Sequence, residues 1–532
     1  MQFDIAIIGG GHNGLVCSAY LAEAGLKVLV LEQREIVGGA AVTEEFHPGY
    51  RNSTASYTVS LLQPKIIEDL RLYKHGLQII ERPFSNFLPL RNGDHLRTGE
   101  SLAATQRLFA RHSPRDAANL PAYFAMLTEA VRFIRQWALK TPPNRGSGLK
   151  SIVDAVRSAM ELRRLPLQSQ AALLDLFTKS AGEILDDYFE NDAIKALFGF
   201  DSIVGSFASP YTPGSAYVLL HHVFGETNGK PGTWGHAIGG MGAITQAMLS
   251  EALARGVTVR TNARVSQVLT NNGRTTGLVI DEKDEISVPR IAANVTPKRL
   301  FNELLSPDCL QPEFTARMRR YKCGSGSFRI NVALSELPKL QGIDAVMNAQ
   351  AVQSGIVIGP SLQYMEQAYF DARTEGWSRQ PIVEMLVPST VDPTLAPPGR
   401  HVASLFCQHF NPRLPDGQSW DANKDAAVST VLDTVNQHVP NFRQSVLAVK
   451  ALSPLDLERT FGLTNGDIFH GALSLDQLFS ARPLLGYADY RTPIKGLYLC
   501  GSGTHPGGGV SGAPGYNAAR EILRDARKSM PA

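Results

Sequence analysis

Short apolar runs separated by glycine-rich turns begin the chain. Residues 3–8 are mostly apolar, which is typical of a buried parallel strand. Residues 15–24 have the apolar spacing of a helix, and Gly25 is a candidate C-cap. A second apolar run at 27–31 predicts another strand. The pattern therefore predicts a strand, a glycine loop, a helix and a second strand.

The glycine loop (residues 9–14) has the composition that a dinucleotide requires. Gly9 permits a tight turn, Gly11 lets the backbone approach a pyrophosphate, and Gly14 allows the helix to pack closely on the strand. The phosphates are expected on the free N–H groups at the helix N-terminus. Glu32, which ends the second strand, is placed to accept hydrogen bonds from a ribose diol. A glycine-rich turn without a nucleotide is the alternative.

Two further glycine-rich segments flank long stretches of ordinary sequence. The pair Gly38–Gly39 follows Glu32 closely, and taken alone it is also compatible with an ordinary turn. Residues 501–519 follow a predicted strand and precede a helix. Such a glycine-rich segment is unsuited to the interior of a helix or strand. It suits a backbone that lies against a flat ligand better than it suits a flexible linker.

The middle of the chain adds two predictions. Residues 257–294 are interpreted as a meander of short strands, which follows a helix that opens at residues 239–242. The glycines at 239–242 lack the preceding strand and the following acid, so we predict no second nucleotide domain. Residues 114–200 have a largely helical period.

Composition excludes several classes of protein. With 43% apolar and 19% charged residues the chain is an ordinary globular protein. A net charge of +3 over 532 residues gives no reason to expect a nucleic acid partner. The five cysteines contain no C-x-x-C pair, which argues against a dithiol site, a disulfide framework and a zinc site. We expect an intracellular, cytoplasmic protein without a leader or a membrane-spanning helix.

These segments together resemble the phytoene desaturase-like FAD-dependent oxidoreductases, over nearly the full chain. The match is closest to the branch named for a pyridine nucleotide-disulphide oxidoreductase domain. It rests on residues 38–45, 56–62, 74–77, 234–242 and 505–510. Two positions depart from the wider pattern. Ala40 replaces the arginine that amine oxidases usually have after the glycine pair, and Ser502 replaces the usual acid of the C-terminal motif.

The resemblance implies a fold and a cofactor. The class is α/β, with a Rossmann-like FAD-binding domain assembled from discontinuous segments and an α+β substrate domain that has a helical insertion. The FAD-binding domain is predicted at 1–75, 231–299 and 486–532, and the substrate-binding domain at 76–230 and 300–485. The cofactor residues that it implies are Gly9, Gly11, Gly14, Glu32, Gly38, Gly39, Val265, Gly501, Ser502, Gly512 and Tyr516.

The resemblance also implies a reaction. We expect dehydrogenation or desaturation of a hydrophobic, isoprenoid- or lipid-like substrate by hydride transfer to flavin N5, with oxygen or a quinone as electron acceptor. His505 and His236 are the candidate catalytic groups, each with a structural hydrogen bond as the alternative. Arg51 and Tyr57 are candidates for the lining of the flavin pocket, with simple packing as the favoured alternative. An amine-oxidase-like enzyme and an FAD-containing regulatory or binding protein stay open, as do peripheral membrane contact and a homo-oligomer.

Overall fold

Apolar runs from both ends and the middle of the chain meet in one five-stranded sheet. Its strands, in chain order, are β1 (Ile5–Ile8), β2 (Val28–Leu31), β11 (Thr258–Arg260), β15 (Ile291–Ala293) and β21 (Leu497–Leu499). The computed structural model describes residues 3–90, 93–144 and 149–529. The strand order is β11-β2-β1-β15-β21, and all neighbours are parallel. The predicted α/β class is confirmed.

Alternate residues of this sheet face two different layers. Ile5 and Ile7 pack into a core shared with three helices, α1 (His12–Glu23), α10 (Met241–Ala254) and α18 (Ala513–Ser529). Ala6 and Ile8 pack into a second core on the opposite face. Burial on both faces explains why these strands are continuous apolar runs.

An antiparallel meander covers the second face. Its strands are β12 (Val265–Asn271), β13 (Arg274–Ile280) and β14 (Asp284–Ser287). The prediction of one meander over 257–294 is wrong at both ends, because Thr258–Arg260 and Ile291–Ala293 are strands of the parallel sheet. Their apolar and polar alternation identifies strands, but it carries no information about which strand each one pairs with.

A seven-stranded mixed sheet forms the second large unit. Its strands are β6 (Asn86–Pro89), β7 (His95–Thr98), β16 (Phe328–Leu334), β17 (Gly355–Ile358), β18 (Trp377–Leu386), β19 (His401–Phe410) and β20 (Val446–Leu452). The order is β20-β16-β19-β18-β17-β6-β7, antiparallel except for β17 with β6. The chain passes from the five-stranded sheet to this one and back twice.

Short strand pairs and helices complete the fold. The remaining strands are β3 (Thr43–His47), β4 (Tyr50–Ser53), β5 (Ile79–Glu81), β8 (Glu226–Thr227), β9 (Lys230–Pro231) and β10 (Gly235–Ala237). Besides α1, α10 and α18, the helices outside the region predicted to be helical are α2 (Pro64–Asp69), α3 (Leu102–Phe109), α9 (Ser215–Val223), α11 (Pro297–Arg299), α12 (Pro312–Arg319), α13 (Ala345–Ala351), α14 (Leu362–Glu375), α15 (Trp420–His438), α16 (Phe442–Ser445) and α17 (Pro454–Phe461).

The region predicted to be helical contains α4 (Pro114–Ala138), α5 (Leu149–Arg163), α6 (Leu167–Thr178), α7 (Ala181–Tyr188) and α8 (Asp192–Gly199). Helix α7 begins with a capping box, in which Ser180 and Glu183 satisfy two N-terminal N–H groups. The apolar faces of α4, α6, α7 and α8 pack into one core with α9. The exact domain bounds stay a prediction.

Replacing Gly14 with alanine tests the packing of α1 on β1. A Cβ at this position lies 2.2 Å from the Gly9 carbonyl oxygen, which is backbone and has no room to move. We expect Gly14→Ala to lower the free energy of unfolding by about 1–3 kcal/mol and to reduce the bound flavin. Urea unfolding and the ratio of flavin to protein absorbance measure both effects. Ala24→Ser, which adds one heavy atom at an exposed position after the same helix, is expected to change neither. Equal behaviour of the two variants would contradict the close packing.

Candidate active site

The glycine loop connects β1 to α1 in a tight turn. Gly9 has a φ of +94°, a conformation that side chains with a Cβ rarely adopt. The N–H group of Gly38 donates to the Gly10 carbonyl oxygen at 2.9 Å, which holds the glycine pair beside the loop. A Cβ on Gly39 lies 3.2 Å from the Cα of Gly11. The two backbones therefore approach as closely as glycine allows.

Glu32 lies at the end of β2, next to this loop. Its Oε2 accepts a hydrogen bond from the Gly10 N–H at 2.8 Å, and Oε1 accepts one from the Arg34 N–H at 3.0 Å. A carboxylate has about four acceptor positions, so two are left for a ligand. The side chain is buried and lines the cavity described below.

The C-terminal glycine segment (residues 501–519) returns to the same place. Asn13 Nδ2 at the start of α1 donates to Ser502 Oγ at 3.1 Å. Arg482 fixes the segment from the other side. Its fully buried guanidinium donates to the carbonyl oxygens of Ser502 at 2.8 Å and Phe469 at 2.7 Å, and also to those of Gly471, Ala472 and Gln477.

A cavity lies between the glycine loop and the seven-stranded sheet, with about 1560 Å³ of empty space if the open solvent at its mouth is included. The loop, the glycine pair and Glu32 belong to its lining. Aromatic and aliphatic side chains form another part of the lining. They are Tyr57, Leu61, Val204, Trp234, Phe406, Ile468, Phe469 and Val510.

The glycine-loop end of this cavity fits FAD. His12 stands at the N-terminus of α1 and lines the cavity, and its Nε2 is buried without a hydrogen-bond partner among the described residues. A pyrophosphate at this helix terminus accepts from the free N–H groups there. Gly11 and Gly39 both line the cavity, and a Cβ on either would crowd its neighbours there. Glu32 would hold the ribose diol, since two of its acceptor positions are free.

The structure separates the predicted cofactor residues into two groups. Those that line the cavity are Gly9, Gly11, Glu32, Gly38, Gly39, Val265 and Ser502. Those that do not are Gly14, Gly501, Gly512 and Tyr516. Gly501 instead packs on Asn294, and Gly512 packs on Ile66 and Val16.

Tyr516 and Arg51 lie away from the positions that we predicted for them beside the cofactor. The Tyr516 ring contacts the Tyr20 ring edge-on, with centroids 5.0 Å apart, because α18 packs along α1 on the far side of the loop. Arg51 is exposed on β4. Tyr57, by contrast, lines the cavity as expected.

Neither candidate catalytic histidine lines the cavity. His505 Nε2 donates to the Trp137 carbonyl oxygen at 2.9 Å, and burial lowers the pKa of His505 to about 4. This is the structural hydrogen bond that the sequence left open. His236 Nε2 lies 3.0 Å from Asp392 Oδ2, on the strand β10 that pairs with β5. Both rings are thus engaged with partners outside the cavity lining.

Sequence reasoning missed a cluster of buried polar groups next to the cavity. Tyr57 donates its hydroxyl proton to Glu384 Oε2, and Arg82 Nη1 lies 3.4 Å from Glu384 Oε1. Burial raises the pKa of Tyr57 well above its usual value, and the Glu384 carboxylate raises it further. Arg329 and His222 also line the cavity. Arg329, Glu384 and His222 belong to no recognisable motif, so no sequence signal could have found them.

Comparison with known proteins identifies the family. The pattern of the family described as flavin containing amine oxidoreductase matches residues 14–328. The chain belongs to this family. Pyridine nucleotide-disulfide oxidoreductase domain-containing protein 2 of Rattus norvegicus is 39% identical over 550 residues, which cover 98% of this chain and 94% of that protein.

More distant relatives support the same assignment. The lycopene-forming phytoene desaturase of Pseudescherichia vulneris is 24% identical over 95% of this chain and 96% of its own. A putrescine oxidase structure has a TM-score of 0.61 and 16% identity, covers 99% of each chain, and shows a common fold. The predicted resemblance to phytoene desaturase-like FAD oxidoreductases is confirmed. The protein is an FAD-dependent oxidoreductase.

Two further features concern the cysteines and the helices. All five cysteines are free, and Cys17, Cys407 and Cys500 are buried. Within residues 3–90, 93–144 and 149–529, no helix has both the length and the apolar character needed to cross a membrane.

Replacing Glu32 with glutamine tests its part in binding FAD. Loss of the charge weakens the hydrogen bonds that a ribose diol donates, and hydrogen bonds to charged groups contribute about 1.5–3 kcal/mol. We therefore expect the dissociation constant of FAD to rise about 10- to 100-fold. Titration of the apoprotein with FAD, followed by flavin fluorescence, gives this constant. Glu35→Gln, an equivalent change at an exposed position three residues away, serves as the control. An unchanged constant in Glu32→Gln would refute the assignment.

Proposed function

We propose that the protein dehydrogenates an apolar, isoprenoid- or lipid-like substrate. The apolar lining of the cavity between the glycine loop and the seven-stranded sheet carries this proposal. Leu61, Val204, Ile468 and Val510 offer no hydrogen bonds, and together with Phe469 they favour a ligand that gains by leaving water. The relative named phytoene desaturase supports the same substrate class.

When bound, FAD supplies a two-electron acceptor that takes a hydride at N5. Loss of a hydride from one substrate carbon and of a proton from its neighbour leaves a carbon–carbon double bond. The protein then needs a group that accepts this proton. We assign this acceptor to a polar side chain of the cavity.

Tyr57 and Glu384 are suited to this role. Tyr57 Oη already donates to Glu384 Oε2. The hydroxyl oxygen accepts the substrate proton while its own proton passes to the carboxylate, so the tyrosine stays neutral throughout. Arg82 Nη2 donates to Thr58 Oγ1 at 2.6 Å, and this fixes the guanidinium that faces Glu384. His505 and His236, which lie outside the cavity lining, take no part.

Amine oxidation is the second candidate, favoured by the family and by the fold shared with putrescine oxidase. A buried arginine, Arg329, lines the cavity. A protonated amine placed there meets a like charge in a medium of low dielectric constant, which is unfavourable. The apolar substrate is therefore the better proposal. Oxygen or a quinone is the proposed electron acceptor, because the sequence has no second dinucleotide loop.

Anaerobic reduction of the flavin tests the proposed reaction. We expect an isoprenoid donor such as phytoene or farnesol, supplied in detergent micelles, to bleach the oxidised flavin absorbance in stopped-flow mixing. Oxygen or ubiquinone should then restore the absorbance. Putrescine and NADPH are the controls and are expected to leave the flavin oxidised. Bleaching by putrescine alone would favour amine oxidation. A flavin that no apolar donor reduces would contradict the proposal.

Replacing Tyr57 with phenylalanine tests the proton route. Removing a general acid–base group typically slows a reaction by about 10²- to 10⁴-fold. We expect that loss in the rate constant of flavin reduction, with flavin content unchanged. Tyr364→Phe is the matched control, because it removes a hydroxyl on α14 that donates to the Pro381 carbonyl oxygen of β18 and that does not line the cavity. Reduction of Tyr57→Phe at the rate of the unmodified protein would exclude this route.

A further inference from the structure

Arg329 is a buried cation on the sheet side of the cavity. It alternates along β16 with Phe328 and Ile330, which pack into the core on the opposite face of the sheet. Its side chain therefore points toward the FAD-binding half of the molecule and lines the cavity. The residue is only 1% exposed.

The immediate neighbours of this guanidinium are mostly aromatic. Its central carbon lies 4.8 Å from the centre of the Tyr57 ring and 5.5 Å from that of Phe406. Nη2 donates to Ser404 Oγ at 2.8 Å. Contacts with ring faces and one hydroxyl recover part of the cost of burial, but they supply no opposite charge.

Two donor nitrogens of Arg329 have no partner. Nε and Nη1 are buried and make no hydrogen bond. Among the described residues, no carboxylate oxygen lies within 4.0 Å of the guanidinium, since Glu384 pairs with Arg82 instead. The chain satisfies another buried arginine, Arg482, with five carbonyl oxygens. Arg329 is thus a buried charge with no carboxylate in direct contact among the described residues, which is costly.

The charge persists at neutral pH. Burial lowers the pKa of Arg329 to about 10, which still leaves the guanidinium protonated in the physiological range. An anion in the cavity would compensate it and accept from its free nitrogens. A dianion such as phosphate would add a second negative charge near Glu384, so a monoanion fits better.

We propose that the substrate carries a carboxylate that binds Arg329 and an apolar body that extends along the cavity toward the glycine loop. This rests on the proposed dehydrogenation and narrows its substrates to apolar carboxylic acids. Leu61, Ile468 and Phe469 contact the body, while Arg329, whose guanidinium is oriented by its hydrogen bond to Ser404, holds the charged end. The carboxylate thereby fixes which carbons of the chain reach the flavin.

Ligand binding to the holoenzyme tests the carboxylate site without requiring turnover. The probes are farnesoic acid, its methyl ester and farnesol, titrated at a pH where the acid is ionised and followed by the flavin absorbance spectrum. We expect the acid to bind about 10- to 100-fold more tightly than the ester or the alcohol, as hydrogen bonds to a charged group imply. Equal binding of acid and ester by the unmodified protein would overturn the proposal.

Variants of Arg329 test whether this residue causes the preference for the acid over the ester. Arg329→Gln should bind acid and ester alike, and Arg329→Lys should keep part of the preference because it keeps the charge. Arg379→Gln on the exposed end of β18 is the matched control and should behave like the unmodified protein. A full preference in Arg329→Gln would also overturn the proposal. Should that variant lose its flavin, the acid and ester comparison in the unmodified protein decides.

The two proposals fail in different ways. Tight binding of the acid without flavin reduction by any apolar donor would support the carboxylate site and contradict the dehydrogenation. Reduction by isoprenoid donors with no preference for the acid would support the dehydrogenation and overturn the carboxylate site.

Discussion

The parallel pairing of β1 with β15, and of β15 with β21, is the constraint on which the site depends. The carboxyl ends of these strands lead into Gly9, Asn294 and Gly501, and all three residues meet. Asn294 Nδ2 donates to the Gly9 carbonyl oxygen at 3.2 Å. Because ligands of open parallel sheets bind at the carboxyl ends of the strands, this junction determines where FAD lies.

The five-stranded and the seven-stranded sheet make different contributions to the site. The FAD-binding half contributes backbone and glycine, which suit a cofactor but give little chemistry. The face of the seven-stranded sheet contributes Arg329 and Glu384 from neighbouring regions of β16 and β18. The cavity between them therefore combines a glycine-lined cofactor end with a wall to which the second sheet contributes Arg329 and Phe406.

Local sequence patterns predicted those parts of the site whose residues lie close together in the sequence. A strand followed by a glycine loop and an acid identified Gly9, Gly11 and Glu32, because the whole motif lies within one βαβ unit. The helical region and the α/β class followed from periodicity in the same way. Partners that are far apart in sequence could not be predicted, as the meander showed. His505 is the clearest case, since its partner Trp137 is 368 residues away.

The contact between Asn13 and Ser502 spans 489 residues of chain. A polypeptide that is still being synthesised can form the glycine loop early, but the opposite half of its cofactor site does not yet exist. Arg482 likewise has no Ser502 carbonyl to hold until residue 502 has left the ribosome. A chain that stops short of β21 therefore lacks one side of the cofactor site and is expected to stay without its cofactor.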